Sequence, residues 1–228
     1  MKLLTTAFFP PIEYFAHLAK CSVFIDGTEH YQKQSWRNRC RILSSNGPED
    51  LRFPVVHDGK RSITAVLVDY KTDWVRRNEY AIDTAYYSSP FFEYYRDELF
   101  AILDSRPQTL WELNSRITCF FCRKIGIPEP AVLLEAPQGE VERIIIHPKI
   151  PSSWEGRPYW QVFRDKFGFV PGLSVMDLLF NEGPESICFL GSVVFCSYIC
   201  GRVGDRRPGL VAYLFLRSYA KAYEQTGI

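Results

Sequence analysis

The sequence lacks an excess of charge of either sign: 27 lysines and arginines stand against 26 aspartates and glutamates, a formal balance of +1 over 228 residues. A protein that holds nucleic acid by bulk electrostatics needs a cationic surplus, so that class is excluded and any anion site must be a local cluster. No apolar run reaches the roughly 18 to 20 residues that span a bilayer, and no membrane span is expected. The opening apolar stretch meets Pro10-Pro11 too soon for a signal peptide. Repeats and low-complexity tracts are absent. So are the Walker A loop, GxGxxG, HExxH and the nucleophile elbow, and the enzyme classes built on them drop out. Hydrophobic residues at 46% and charged residues at 23% exclude a disordered, collagen-like or coiled-coil chain. Cysteine is present but forms no evident framework: there are seven, an odd number, which places the chain in a reducing, cytosolic compartment. Cys119 and Cys122 form a C-x-x-C inside an apolar helical pattern. They read as packed thiols, and no metal site is expected.

What the chain does have is aromatic residues, at 15%, enough to build a core and to line a groove for a sugar-like ligand. Residues 3–9 predict a buried strand and residues 22–26 a second. Between them, 12–20 form a helix with Ile12, Phe15, Ala16 and Ala19 on one face and Pro11 as its first residue. Strand, helix, strand is a βαβ unit with parallel, adjacent strands. Ligands of such sheets bind at the carboxyl ends of strands, so Phe9-Pro10-Pro11 and residues 26–30 should share one rim. Further strands are predicted at 51–56, 63–68 and 141–146, and helices at 72–86, 91–103, 109–125, 158–167 and 174–180. The expected class is α/β: a sheet with a βαβ start, flanked by helices, with a helical middle. After residue 186 the texture becomes apolar and cysteine-rich, then Gly/Arg-rich. Residues 187–228 are therefore expected to be an atypical C-terminal extension, peripheral to a domain of residues 1–186.

The densest polar cluster is Gln32, Lys33, Arg37, Asn38, Arg39 and Arg41, interleaved with Tyr31 and Trp36. Guanidinium forks suit phosphate, amides suit hydroxyls, and an aromatic neighbour supplies a stacking face. The competing reading is a solvated face on an edge strand. Asp26 and His30, at a predicted strand end, are the candidate proton-transfer groups. Tyr31, Lys33, Trp36, Arg37, Asn38 and Arg39 are candidates to hold an anionic small molecule, with Tyr87 in an aromatic loop and Gln161 later in the chain. In a regular strand residues 37, 39 and 41 would face away from 36 and 38. Convergence of the cluster on one concave surface with Asp26 therefore requires an irregular backbone at residues 36–39.

These residues resemble the WbqC-like family of bacterial proteins. The matching motifs are Phe9-Pro10-Pro11 before Glu13-Tyr14-Phe15, and Tyr31-x-Lys33-x-x-Trp36-x-Asn38-Arg39 before Ile42. Others are the Trp74 helix leading to Tyr87-x-x-Pro90-x-Phe92, and Gln161-x-Phe163 running through Gly168-Phe169-Val170-Pro171 to Asp177 and Pro184. The resemblance covers about residues 3 to 186; Cys40 stands where the family pattern has asparagine. It implies a cytosolic bacterial protein whose relatives often belong to surface-polysaccharide (O-antigen) gene clusters, and it names no reaction. Taken with the basic and aromatic cluster, the first expectation is an enzyme of that biosynthesis acting on a nucleotide-linked sugar, with amino-sugar acyl transfer as one such reaction. Two other function classes stay open: a non-catalytic scaffold subunit of a polysaccharide-assembly complex, and a degenerate nucleotide-binding domain. Pro11-Ile12-Glu13-Tyr14 lacks the histidines of an H-x-G-H nucleotidyltransferase start. The residues name neither a cofactor nor an oligomeric state.

Overall fold

The computed structural model describes residues 1–20, 23–56, 59, 62–137, 139–152, 154 and 156–191. It opens with β1 (Lys2–Leu4), α1 (Ile12–Ala19) and β2 (Val23–Asp26). The two strands are parallel neighbours, Leu3 opposite Phe24, as the βαβ reading requires. β1 is shorter than the predicted strand because the chain leaves the sheet after Leu4. In the loop that follows, Phe9 is wholly buried at φ 41°, a left-handed conformation that costs a bulky residue energy and survives only where its surroundings impose it. Here the Phe8 amide donates to the Trp36 carbonyl at 2.8 Å and the Thr6 amide to the Glu29 carboxylate at 3.0 Å. Pro11 is extended and caps α1 from outside rather than starting it.

A hairpin follows, β3 (Arg39–Ser44) and β4 (Gly47–Arg52), turning at Ser45-Asn46. Then come α2 (Trp74–Tyr86), α3 (Phe92–Asp104) and α4 (Leu110–Ile125), close to their predicted bounds. Thr109 caps α4 by accepting the Glu112 amide, and Gly126 ends it at φ 83°, where a Cβ would be strained. β5 (Ala131–Leu133) and β6 (Glu142–Arg143) join the sheet, whose order is β5-β2-β1-β6 with every pairing parallel. The chain continues through α5 (Arg164–Phe167), α6 (Val175–Glu182) and α7 (Ser186–Phe189). The fold is α/β, a parallel sheet flanked by helices.

Residues 51–56 and 63–68 do not make the expected pair of strands. Pro54 cannot donate to a ladder, so the two segments meet only through an antiparallel bridge between Val55 and Val68, while Ile63–Ala65 forms a 3-10 turn. Of residues 158–167 only the last four are helical.

The core joins the sheet to the helices through aromatic contacts: the Phe53 ring lies 4.7 Å from Phe8 and 5.1 Å from Trp74. Leu113, Ile117, Phe120 and Phe121 of α4 are wholly buried. Residues 187–190, expected outside the domain, also contribute, since Ile187, Phe189 and Leu190 are buried in the same core; residues 192–228 lie outside the described residues. The reference for these side chains is a chain ending at Gly191, the last described residue. One ending at Glu185 should lose about 5 kcal/mol, because each buried apolar side chain contributes about 1.5–3 kcal/mol. Thermal melts of the two truncations check this: equal melting temperatures would show that these side chains add nothing.

Candidate functional site

From β1 the chain crosses through α1 to β2 on one side, whereas β6 lies on the other side of β1. The strand order therefore reverses between β1 and β6, and a crevice outside the carboxyl ends of two such strands is where open α/β sheets take ligands. A crevice of about 410 Å³ lies there, within the usual size range of small-molecule sites. Pro11 and Glu13, following β1, form one wall, and residues 146–152, following β6, form the other. Trp36 and Arg41 close one side and the Pro171-Gly172 turn another. Backbone bonds fix this frame: the Ile12 amide donates to the Leu173 carbonyl, Val175 to Pro10, and Ser174 to Arg41 at 2.8 Å.

Trp36 opens a 3-10 turn, Trp36–Asn38, whose cap is Ser35. This is the irregular backbone expected at residues 36–39, and it brings Trp36 to the crevice. Arg41 reaches the same place from β3. Its Nε donates to Asp50 Oδ1 at 2.8 Å, and its guanidinium lies 5.7 Å from the centre of the Trp36 ring. Asp50 thus orients the fork and leaves further N–H groups to serve an anion. On the opposite wall Ser152 donates its hydroxyl to Glu13 Oε2 at 2.8 Å. His147 Nδ1 accepts the Lys149 amide at 3.2 Å, so a neutral ring carries its proton on Nε2, the side able to donate. Lys149 is exposed at the rim. The crevice thus combines two cations, one of them backed by a buried indole, with one carboxylate and a histidine donor.

Of the candidate proton-transfer and anion-holding residues named from sequence, Trp36 lines this crevice and the others do not, while Arg41 of the same basic cluster and Pro11 of the expected rim do. Asp26 is buried at the end of β2, where Oδ1 accepts both the amide and the hydroxyl of Thr28, at 2.9 and 2.6 Å, and Oδ2 lies 3.6 Å from Arg143. His30 and Lys33 are exposed. Arg37 is buried and ion-paired with the Glu29 carboxylate. Burial is the largest influence on Glu29 and raises its pKa despite that pairing. Asn38 is used by the fold, donating to the Phe53 carbonyl at 2.9 Å. Arg39 lies 3.7 Å from Asp50, and Tyr31 is half-buried close to Arg37 and Arg39, its phenol pushed up by burial. Tyr87 is exposed in a different cavity, between α2 and α3.

Gln161 is wholly buried in a polar network. Its Nε2 donates to the Val170 carbonyl at 3.0 Å and to Asp177 Oδ2 at 2.9 Å, and its Oε1 accepts the Val170 amide at 2.9 Å. Tyr159 donates to the same Asp177 oxygen, and burial lifts that carboxyl to about 6. The network pins residues 159–170 onto α6. Cys122 of the C-x-x-C is buried and Cys119 half-buried, with burial pushing the Cys119 thiol up to about 11. Among the described residues no group of three metal-ligating side chains occurs, and no helix is long and apolar enough to cross a membrane.

Glu13, His147 and Lys149 were missed as site residues, and Arg41 was seen only as part of the basic cluster. The available signal was the switch-point rule applied to His147-Pro148-Lys149 after the last strand; it requires knowing that residues 142–143 pair with β1.

The model of the WbqC-like protein family matches residues 6–146, which contain α1, β2, Trp36, Arg41 and the start of the crevice's far wall. The uncharacterized protein Rv1507c of Mycobacterium tuberculosis is 28% identical over 211 residues, covering 78% of this chain and 91% of the relative. No solved structure matches the chain at a significant level.

Proposed function

The chain belongs to the WbqC-like protein family, and from its crevice we propose that it is an enzyme of bacterial surface-polysaccharide biosynthesis acting on a nucleotide-linked sugar. The observation that carries the reading is the crevice at the reversal of strand order, lined by Arg41 beside Trp36, by Lys149 on the far wall and by Glu13 on the near one. The two cations match a diphosphate, and the buried Trp36 ring backs the Arg41 guanidinium that would receive it. Glu13 and His147 are the groups there able to move a proton. For acyl transfer from a thioester donor to the amine of an amino sugar, the new N–C bond forms as the C–S bond breaks. Glu13 would take the proton of the attacking amine, and His147 Nε2–H would give one to the departing thiolate. Asp26 and His30, the groups favoured by sequence, lie outside the crevice lining and are not part of this scheme.

A melting screen against uridine-, guanosine- and thymidine-diphosphate sugars tests the reading. A ligand at a hundred times its Kd adds about 2.7 kcal/mol to stability, a rise of about 5–10 °C for a chain of this size. Arg41→Ala and Lys149→Ala should each weaken binding by about 1.5–3 kcal/mol, the range for a hydrogen bond to a charged group. Asp26→Asn should leave it unchanged. Absence of any shift across the screen would leave the scaffold reading as the better one.

A further inference from the structure

A second cavity of about 440 Å³ lies away from the crevice, between α2 and α3. Its α2 wall is Asp83, Thr84 and Tyr87, and its α3 wall is Phe92, Glu93 and Arg96. Helical spacing puts Tyr80 on the stripe of Asp83, Thr84 and Tyr87, three, four and seven residues on. Tyr80 and Tyr87 are 75% and 74% exposed. Exposure of that extent leaves both ring faces in water, on a stripe whose next residues are charged or hydroxylated. Seven residues separate the rings by about 10.5 Å along the helix axis. Between them a fixed polar floor bridges the two helices. Arg96 Nε and one terminal nitrogen donate to the two Asp83 oxygens at 2.6 and 2.8 Å, and the guanidinium lies 4.7 Å from the centre of the Phe100 ring. About a third of each side chain of the pair stays exposed, so both present outward donors and acceptors in a set geometry. Glu93 adds a carboxylate that makes no hydrogen bond or ion pair among the described residues.

We propose that this α2–α3 groove is a saccharide-binding site, with Tyr80 and Tyr87 stacking on the C–H faces of two sugar rings separated by one further ring and the Asp83–Arg96 pair and Glu93 taking ring hydroxyls. A sugar is apolar on its faces and polar at its edge, and the groove repeats that division: aromatic rings on one stripe, a rigid planar acid–base pair at its foot. An anionic ligand is disfavoured, because Asp83 and Asp97 already occupy Arg96 and Glu93 faces the opening. A protein partner is disfavoured because charged groups, Asp83, Glu93 and Arg96, occupy the middle of the groove, where the centre of a protein interface is depleted of charge. The site is independent of the crevice and does not rest on its assignment.

Saturation-transfer NMR with maltotriose, mannotriose and N-acetylchitotriose as probes tests it on the full chain. At least one trisaccharide should receive magnetisation from the protein. Tyr87→Ala and Tyr80→Ala should each weaken that binding about fivefold or more, by loss of a stacked ring. Both tyrosines are exposed, so the variants should melt with the wild type, and Arg41→Ala in the crevice should bind the trisaccharide normally. Transfer to none of the three probes overturns the proposal, as does transfer unchanged in the double tyrosine variant. Wild type eluting as a dimer that Tyr87→Ala converts to a monomer would also overturn it, assigning the groove to self-association.

Discussion

Replacing Arg37 with alanine is expected to destabilise the protein by about 3–5 kcal/mol at neutral pH, the cost of leaving one partner of a buried ion pair uncompensated. The side chains of Arg37 and Glu29 are 6% and 8% exposed and directly paired, and Glu29 also receives the Thr6 amide from the loop behind β1. Without the guanidinium the carboxylate sits in the same dry surroundings with that amide as its remaining partner. Burial already raises its pKa, and loss of Arg37 raises it further. A carboxyl whose folded pKa lies above its unfolded value stabilises the fold below the unfolded value and loses that contribution as pH rises through the folded one. The deficit of Arg37→Ala should therefore be largest at pH 7–8 and shrink as the pH falls toward 5 and Glu29 takes up a proton. Combining it with Glu29→Gln should restore much of the loss, because an amide carries no charge to desolvate. Urea denaturation of the three variants across pH 5–8 measures this. A single variant as stable as wild type at pH 7.5 would return Arg37 to the role expected from sequence, a solvent-facing anion ligand.

That contrast shows what was legible in the sequence. The βαβ start was readable because its periodicities are local: Ile12, Phe15, Ala16 and Ala19 share a helix face whatever else the chain does. The three long helices were readable for the same reason, and α4 also carries its cap, Thr109, and its stop, Gly126. β5 and β6 were not, or only as part of a longer stretch, since strands of three and two residues are too short to show alternation. Missing their placement hid the reversal of strand order, and with it the crevice. Within the basic cluster the residue types were right for binding an anion, but type does not reveal direction. Arg37 turns inward to Glu29, Asn38 braces Phe53, and Arg41, two residues along β3 from Arg39, is the arginine that reaches Trp36. The crevice draws on residues near 11, 36, 41, 147 and 171, brought together by tertiary bonds that no local pattern encodes.

The polar network around Asp177 should make stability depend on pH in a direction opposite to that of most carboxylates. Asp177 is almost wholly buried on α6 and receives hydrogen bonds from Tyr159 and Gln161, with the Tyr86 hydroxyl also beside it. Those donors favour the charged form, but burial outweighs them and lifts the carboxyl to about 6. Its folded pKa thus lies about two units above the ordinary carboxylate value, and each unit corresponds to about 1.4 kcal/mol. The sign follows from proton counting: between about pH 4 and 6 the folded state holds a proton that the unfolded state has released, so stability falls as pH rises through that window. We expect about 3 kcal/mol of this loss to come from Asp177. Asp177→Asn removes the titration while keeping an oxygen to accept from Tyr159 and Gln161. Relative to wild type, the variant should therefore gain about 3 kcal/mol between pH 4 and pH 7, whatever fixed cost the new amide brings. Denaturant melts of both proteins at half-unit steps across that range give the difference directly, free of every carboxylate they share. A difference that stays flat would mean Asp177 is ionised throughout, held so by Tyr159 and Gln161. The network would then be a buried charge stabilised by hydrogen bonds rather than a protonated acid at the foot of α6.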